Sequence, residues 1–297
     1  MLLYLCMREI VVGKNDIRLD KFLLEQFPAL TFSKLAKSLK TNKIKVNNKK
    51  VPLNTRLQKG DTIKLFILDD ELTNEPKLLD PSHIIYEDKN ILVAFKEPGL
   101  ISIDDDPEVD SLDKRIKTYL QSDEGSICHR LDTGTSGLLI FAKNEATEEA
   151  ILNAIKNHKL QKFYRCVTFG WPKEDAGTIS NYLKKEDDGF VKVYTTKVDG
   201  AKEAITKYKV LKKMNELAYL DVELLTGRTH QIRVHMKSLG CPILGDSKYG
   251  NESGNRKFKK KRQCLCAYKI IMPEFDGELS NISKKVFEIP APTFNLA

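Results

Sequence analysis

The sequence predicts an α+β protein: a main domain built on a largely antiparallel, mixed sheet with flanking helices, preceded by a small α+β domain. Three observations predict this fold class. The chain has 297 residues, more than one typical domain. Apolar runs such as ILVAFK and GLLIFAK suit buried strands, and they are mixed with helical segments without regular βαβ alternation. An acidic stretch with two prolines and no periodicity separates the two parts.

These patterns predict four segments along the chain. Residues 1–14 are an N-terminal extension, residues 15–68 the small domain, residues 69–83 a linker and residues 84–297 the main domain. Met7 begins MREIVV, which resembles an ordinary start, so the first six residues are interpreted as an upstream extension.

Two helices and several strands are expected in the small domain. Apolar residues at helical spacing indicate a first helix that Pro28 ends: Ile17, Leu19, Phe22, Leu23 and Phe27. Thr31 or Ser33 can cap a second helix. The segment KIKVNNKKV predicts a strand, an Asn-Asn turn and a second strand starting at Val51, and GDTIKLFI predicts a further strand.

The composition favours a globular protein of the cytoplasm. Hydrophobic residues make up 41% of the chain, and no stretch approaches the roughly 18 apolar residues of a membrane span. The apolar opening MLLYLCM lacks the basic n-region and the small-residue cleavage site of a signal peptide, so it does not resemble one. The six cysteines contain no CxxC; they are expected to be free thiols, with Cys264 and Cys266 in the core.

Positive charge is concentrated in two short segments. The net charge is +8, from 49 Lys and Arg against 41 Asp and Glu. One run falls in the small domain: Lys37, Lys40, Lys43, Lys45, Lys49 and Lys50. The other lies near the C-terminus: Arg256, Lys257, Lys259, Lys260, Lys261 and Arg262. Each run is either a solvated face or a contact to phosphates, and phosphate contacts would make binding fall steeply with salt.

The segment CHRLDTGTSG has the composition of a tight loop before a buried strand. Its glycines and small hydroxyl residues allow a close approach to a ligand. The loop presents the carboxylate of Asp132 beside His129 and Arg130. From the residues alone, Asp132 either stabilises the loop through an Asx-turn or acts on a ligand.

The Asp-Thr-Gly within this loop also occurs in aspartic proteases. Those enzymes need two aspartates that share one proton. We find one such segment in this chain, so a protease or another aspartyl hydrolase is a remote alternative.

A second group of polar residues lies in LLTGRTHQIRVHM. Thr229 can cap a helix that Gly240 ends, and on this helix His230 and Arg233 share a face. Arg233 is either a surface residue or a guanidinium that holds a carboxylate. The spacing of His230 and His235 does not fit the paired histidines of zinc enzymes, so no metal is expected.

Four motifs in register resemble one enzyme family. HRLDTGTSGLLIFAK, KFYRCVTFGW, LLTGRTHQIRVHM and GCPILGDSKYG are similar, in order and separation, to the RluA/RluC/RluD family of RNA pseudouridine synthases. FKEPGLIS resembles that family's lysine-proline-glycine loop, although Glu97 intrudes. In the small domain RLDKFL, a basic second helix, KVNN and GDTI resemble the alpha-L RNA-binding motif of a ribosomal protein. That motif is altered at Lys34, which keeps the usual charge, and at Asn48, which tolerates positive φ.

The resemblance implies an enzyme that isomerises uridine to pseudouridine in structured RNA. It implies Asp132 as the catalytic aspartate, Tyr164 as the active-site tyrosine and Arg233 as the arginine that pairs with the aspartate. The reaction breaks the N1–C1′ bond, turns the uracil and rejoins it through C5. Because this needs no redox change, no cofactor is expected. Asp132 would act either as a nucleophile at C1′ or as a base at C2′.

The expected partner is RNA, whose target nucleotide must be flipped out of a helix. The candidate RNA contacts in the main domain are His129, Arg130, Thr135 and Arg228, and the alternative for each of them is that it only stabilises its loop. The candidate contacts in the small domain are Lys34, Lys37 and Lys45. Large-subunit ribosomal RNA or its precursor is favoured over transfer RNA, because the family's members with an alpha-L domain act on it more often. No obligate protein partner is inferred. A catalytically silent RNA-binding protein of the same fold is the main alternative.

Overall fold

The structure, a computed structural model, describes residues 8–67, 77–106, 109–290 and 292–294. The chain divides into two compact units, Met1–Lys77 and Leu78–Ala297. Residues 69–76 of the expected linker and the first seven residues lie outside the described part of the chain. Within the described ranges, every helix is too short or too polar to span a membrane.

The described part of the first unit contains two helices and five short strands. Strand β5 lies between β1 and β3 in an antiparallel sheet, and β2 pairs with β4. The helices and strands share one buried core. Their bounds are β1 (Arg8–Val11), β2 (Ile17–Arg18), α1 (Leu19–Gln26), α2 (Phe32–Lys40), β3 (Ile44–Val46), β4 (Arg56–Leu57) and β5 (Thr62–Leu65).

Both predicted helices of this unit are confirmed. Leu19, Phe22 and Leu23 of α1 are buried at the expected helical spacing. Thr31, rather than Ser33, caps α2, since its hydroxyl accepts a hydrogen bond from the Lys34 N–H at 3.3 Å.

The strand pairing in this unit differs from the prediction of a hairpin that continues at Val51. The predicted Asn47-Asn48 turn is confirmed, since Val46 and Lys49 exchange main-chain hydrogen bonds of 3.0 and 2.8 Å across it. The pairing ends there, because residues 51–55 are not in a strand, and β3 pairs with β5. Asn47 explains the path: its φ is +48°, its side chain donates to Asp61 Oδ1 at 2.8 Å, and it accepts from the Thr62 N–H at 2.9 Å. The turn is thereby tied to the start of β5. The sequence also places residues 8–11 in an extension, whereas they form β1 and pair with β5, leading into the buried Val12.

The described part of the second unit is built on an 11-stranded sheet. Its helices are α3 (Leu112–Leu120), α4 (Glu145–Lys156), α5 (Gln231–Ser238) and α6 (Glu252–Lys257), with 3-10 turns at Pro81–His83 and Gly277–Ile282. Its strands are β6 (Ile84–Glu87), β7 (Ile91–Lys96), β8 (Ser126–Ile127), β9 (Ser136–Ala142), β10 (Gln161–Phe169), β11 (Ala176–Lys185), β12 (Val191–Tyr194), β13 (Lys202–Met214), β14 (Leu217–Leu224), β15 (Leu265–Ile271) and β16 (Val286–Glu288).

The strand order is β12-β11-β13-β14-β10-β15-β9-β7-β6, with β8 beside β9 and β16 beside β15. Among the described strands, β15 and β9 pair in parallel and the other pairs are antiparallel. The predicted α+β class, with a largely antiparallel mixed sheet, is therefore confirmed.

Alternation along the central strands divides the core between the two faces of this sheet. Leu92 of β7 faces one core, together with Ile116 of α3 and Met236 of α5. Val93 faces the other core, together with Ile151 of α4. Helix α5, which carries one of the two polar motifs, therefore covers the first face.

The cysteines of the described residues are free and buried. Cys264, just before β15, and Cys266, within it, are 4% and 1% exposed, which confirms their prediction as core residues. Burial raises the pKa of both thiols to about 11. Both are therefore protonated, unreactive thiols at neutral pH.

Candidate active site

Asp132 lies in the loop from β8 to β9, and the FKEPGLIS segment holds that loop on both sides of it. The hydroxyl of Ser102 accepts a hydrogen bond from the Leu131 N–H at 3.0 Å and donates to the Leu131 carbonyl at 2.9 Å. Beyond Asp132, the Thr133 carbonyl accepts from the Gly99 N–H at 2.6 Å. The main chain is therefore fixed before and after Asp132.

Lys96 ties the two segments together from inside the protein. Its side chain is fully buried, and Nζ donates to the carbonyls of Leu100 at 2.7 Å, Glu97 at 3.0 Å and Thr133 at 3.3 Å. Burial lowers the pKa of Lys96 to about 8, although the negative charge of Asp132 opposes this change. Three carbonyl oxygens satisfy the three donors of the ammonium group. Lys96 therefore anchors the loop that presents Asp132.

Asp132 and Arg233 meet although they come from separate motifs. Nη1 of Arg233 donates to Oδ2 of Asp132 at 2.8 Å. The Arg233 side chain is 8% exposed and that of Asp132 is 26% exposed. The guanidinium is thus enclosed, while the carboxylate keeps an open side. The alternative of Arg233 as a surface residue is wrong.

The start of α5 differs from the predicted cap at Thr229. The N-cap is His230, which has a left-handed main chain with φ +55° and no side-chain capping bond. Gln231 organises this turn instead. Its Oε1 accepts from the Thr226 hydroxyl at 2.9 Å and from the Arg228 N–H at 3.0 Å. The Gln231 amide thus fixes the turn before α5 but does not cap the helix.

A second carboxylate holds the other edge of the Arg233 guanidinium. The Asp246 side chain is fully buried and accepts from Nε at 2.7 Å and from Nη2 at 2.8 Å. The Tyr249 ring lies over the guanidinium, with its centre 5.0 Å from Cζ. Burial alone would lower the pKa of Arg233, but the hydrogen bonds and charges of Asp246 and Asp132 outweigh it and raise this pKa. Burial likewise favours neutral Asp246, but Arg233 holds the pKa of Asp246 below its usual value.

Tyr164 of β10 belongs to the same core as Leu131, the neighbour of Asp132. It is 5% exposed. Burial, and then the negative charge of Asp132, raises the pKa of Tyr164. Its hydroxyl therefore keeps its proton at neutral pH. The structure brings the three residues with expected catalytic roles into one region: Asp132, Tyr164 and Arg233.

The candidate RNA contacts of this unit differ in what they can reach. Arg130 is exposed. Arg228 is half-buried, and its Nε donates to the Glu203 carbonyl at 2.9 Å. Thr135 is 2% exposed, and its hydroxyl accepts from Gln263 Nε2 at 2.5 Å. This bond supports loop stabilisation by Thr135 rather than an RNA contact.

His129 is half-buried, and within the described part of the chain its enclosed Nε2 has no hydrogen-bond partner. Burial, with the positive charge of Lys162, lowers the pKa of His129 to about 3. The imidazole is therefore neutral at pH 7 and brings no positive charge to a phosphate.

Three further candidates lie in the first unit. Lys34 and Lys37 are exposed and three residues apart on α2, so they share a face. Lys45 is half-buried on β3, with its ammonium 5.6 Å from the centre of the Phe66 ring. In the C-terminal basic run, by contrast, Arg256 and Lys257 pair with glutamates of the second unit.

Among the described residues, no group of three or more His, Cys, Asp or Glu side chains is placed to hold a metal ion. Nδ1 of His230 is hydrogen-bonded to the Tyr249 hydroxyl at 2.8 Å. His235 is buried between the Thr206 hydroxyl at 2.8 Å and the Asn181 amide oxygen at 2.9 Å. Both histidines thus have partners inside the protein, and a reaction without metal or cofactor stays a prediction.

Comparison with known proteins gives one family for most of the chain. The family model for RNA pseudouridylate synthase matches residues 90–238, and the S4 domain model matches residues 17–63. A Rickettsia bellii protein named ribosomal large subunit pseudouridine synthase C is 37% identical over 252 residues, or 79% of this chain and 83% of that protein. A Borreliella burgdorferi protein named ribosomal large subunit pseudouridine synthase D is 34% identical over 299 residues, or 95% and 89% of the two chains.

Two solved human structures share this fold. Human RNA pseudouridylate synthase domain containing 4 has a TM-score of 0.57 at 25% identity, covering 72% of this chain and 90% of that one. Human RNA pseudouridylate synthase domain containing 1 has a TM-score of 0.57 at 26% identity, covering 70% and 82%. The chain belongs to the RNA pseudouridylate synthase family and is an RNA pseudouridine synthase that also carries an S4 domain.

Proposed function

We propose that this enzyme isomerises uridine to pseudouridine in large-subunit ribosomal RNA, with Asp132 as the catalytic carboxylate. The observation that carries the residue assignment is the 2.8 Å pair between Asp132 and the enclosed Arg233, which leaves the carboxylate an open side. The names of the relatives from Rickettsia bellii and Borreliella burgdorferi support a ribosomal substrate.

The reaction exchanges one bond of C1′ for another and changes no atom count. The N1–C1′ bond breaks, C5 bonds to C1′, and the hydrogen lost from C5 is balanced by one gained at N1. Asp132 acts either as a nucleophile at C1′ or as a base at C2′. The Arg233 guanidinium orients the carboxylate through its 2.8 Å hydrogen bond to Oδ2. Uracil leaves as a stabilised anion, so a second carboxylic acid is not required for its departure.

Tyr164 is assigned to binding the uracil while it turns. Burial raises the pKa of Tyr164, so its hydroxyl is protonated at neutral pH and would have to give up this proton before it could take one from C5. Its ring can pack against the flipped base, as aromatic residues do in other base-flipping enzymes.

The two units have different functions. Residues 84–297 carry the chemistry, with Arg130 and Arg228 next to the flipped nucleotide. Residues 15–68 bind RNA phosphates through Lys34, Lys37 and Lys45. The S4 match supports this division. A ribosomal substrate also supports a cytoplasmic enzyme.

The test is a paired assay. Wild type and Asp132→Ala are incubated with unmodified ribosomal and transfer RNA transcripts, and pseudouridine is mapped by carbodiimide-dependent reverse-transcription stops. Stops on ribosomal RNA with wild type and none with the variant are expected. Stops confined to transfer RNA would show that transfer RNA, and not ribosomal RNA, is the substrate. Equal stops from both proteins would show that Asp132 is not the catalytic carboxylate. Salt-dependent binding without any stops would favour a silent RNA-binding protein.

A further inference from the structure

Arg233 makes more hydrogen bonds to Asp246 than to Asp132. Two of its nitrogens, Nε and Nη2, donate to Asp246 at 2.7 and 2.8 Å, and Nη1 donates to Asp132 at 2.8 Å. The Asp246 side chain is fully buried, whereas that of Asp132 is 26% exposed. The stronger, two-pronged contact is thus made to the carboxylate that the substrate cannot reach.

Asp246 is itself held without help from Arg233. Its Oδ1 accepts from the N–H groups of Lys248 at 2.8 Å and Tyr249 at 3.0 Å. Its main-chain carbonyl accepts from Asn255 Nδ2 at 3.0 Å. The Asp246 carboxylate is therefore a fixed point in a tight turn, against which a flexible arginine can be oriented.

We propose that Asp246 is a positioning residue for catalysis: it fixes Arg233 so that Nη1 points at Asp132. An arginine side chain has several rotatable bonds, and a single hydrogen bond to Asp132 would leave most of them free. The bidentate contact fixes the guanidinium plane, and the Tyr249 ring covers one face of it. One edge then remains for Asp132. This inference rests on the proposed function, because it requires that Asp132 does the chemistry.

Asp246→Asn is the most selective variant that the geometry offers. The asparagine Oδ1 can still accept from the main-chain donors of Lys248 and Tyr249, so the turn is kept. The new Nδ2 faces the Nε–H of Arg233, and two donors cannot bond. We expect single-turnover conversion of the RNA to slow by about 100-fold, the effect of roughly 1 Å of misplacement at an active site. The Kd for RNA should stay within about 3-fold, less than 1 kcal/mol.

Asp113→Asn is the matched control. Asp113 is also a buried carboxylate of this unit with a cationic partner, since Oδ2 lies 3.0 Å from Lys117 Nζ. Its loss should lower stability without slowing conversion. If Asp113→Asn and Asp246→Asn slow the reaction equally, the effect is one of general stability and the proposal fails.

A double variant tests whether Asp246 acts through Arg233. Arg233→Met and Asp246→Asn should each slow conversion, and the combined variant should be no slower than Arg233→Met alone. Rate losses that multiply would overturn the proposal, because Asp246 would then act by another route.

Arg233→Lys keeps the test decisive if Asp246→Asn does not fold. A lysine ammonium satisfies the buried charge of Asp246, but as a point charge it cannot make the bidentate contact. We expect a folded protein with a rate close to that of Arg233→Met. A rate near wild type would show that the two-pronged contact is dispensable. The failure of this inference can be told apart from the failure of the proposed function. If wild type converts no RNA, the proposed function fails. If wild type converts RNA and Asp132→Ala does not, but folded Asp246→Asn converts it as fast as wild type, only this inference fails.

Discussion

Arg233→Ala and Asp132→Ala remove opposite ends of one ion pair, yet we expect them to differ strongly in stability. In Asp132→Ala the guanidinium keeps both bonds to Asp246, and the lost carboxylate is a quarter exposed. In Arg233→Ala the Asp246 carboxylate, whose side chain is fully buried, loses its cation.

The magnitude follows from that burial. Removing one partner of a buried ion pair costs about 3–5 kcal/mol, because the remaining charge is uncompensated. Two main-chain N–H groups still solvate Asp246, so we expect the lower end, about 3 kcal/mol, for Arg233→Ala. A partly exposed pair costs about 1 kcal/mol or less, which is the expected loss for Asp132→Ala.

Urea unfolding at pH 7, followed by tryptophan fluorescence, measures this difference. The chain has one tryptophan, Trp171, and it lies in the second unit, so the signal reports the unit that carries the pair. The combined variant Arg233→Met with Asp246→Asn is the control and should recover part of the loss, since no buried charge is then unpaired. Equal losses in the two single variants would refute the reasoning.

Three further predictions concern acid stability, the strand junction and RNA binding. Burial lowers the pKa of His235 to about 4, so the unfolded chain binds the proton first and stability falls as the pH drops from about 6.5 to about 4. The loss should reach about 3 kcal/mol by urea unfolding and shrink in His235→Gln; an unchanged pH slope would contradict this. Gly137→Ala would place a Cβ 2.3 Å from the Ala267 carbonyl oxygen at φ +126°, so it should cost more than about 3 kcal/mol. Gly240→Ala, a control with φ +76° and open space around the new Cβ, should cost only about 1–2 kcal/mol of stability. Equal losses of stability in the two variants would exclude the clash at Gly137. The last prediction replaces Lys34, Lys37 and Lys45 together by alanine. In filter binding to RNA, log K should then fall less steeply with log salt, by about 2–3 in the slope. An unchanged slope would exclude phosphate contacts by these lysines.

Local patterns predicted the helices and most strands, but not features that depend on distant partners. The first helix follows from helical spacing in RLDKFL, because Leu19, Phe22 and Leu23 fill one core. The predicted Asn47-Asn48 turn forms, but the strand expected at Val51 does not, and the Asn47 side chain bonds to the main chain of Thr62. That contact is set by the tertiary structure and leaves no signal in the neighbouring residues.

The site shows the same division. The motifs around Asp132 and Arg233 pointed to a catalytic pair through the family resemblance, and the structure places them 2.8 Å apart. No role was predicted for Asp246, because the motif GCPILGDSKYG does not itself show that this carboxylate is buried beside Arg233. Its burial against α5 and the bond from Ser102 to Leu131 depend on segments that are far apart in sequence.

Tritium release from RNA labelled with [5-³H]uridine tests the role of Asp132 most directly, because forming the C5–C1′ bond expels the hydrogen of C5. Wild type and Asp132→Asn, which keeps the size of the side chain but not its charge, would be compared at equal RNA occupancy. We expect wild type to release tritium in step with pseudouridine formation, and the bound variant to release none. Release at the wild-type rate by Asp132→Asn would contradict the assignment of Asp132 as the catalytic carboxylate.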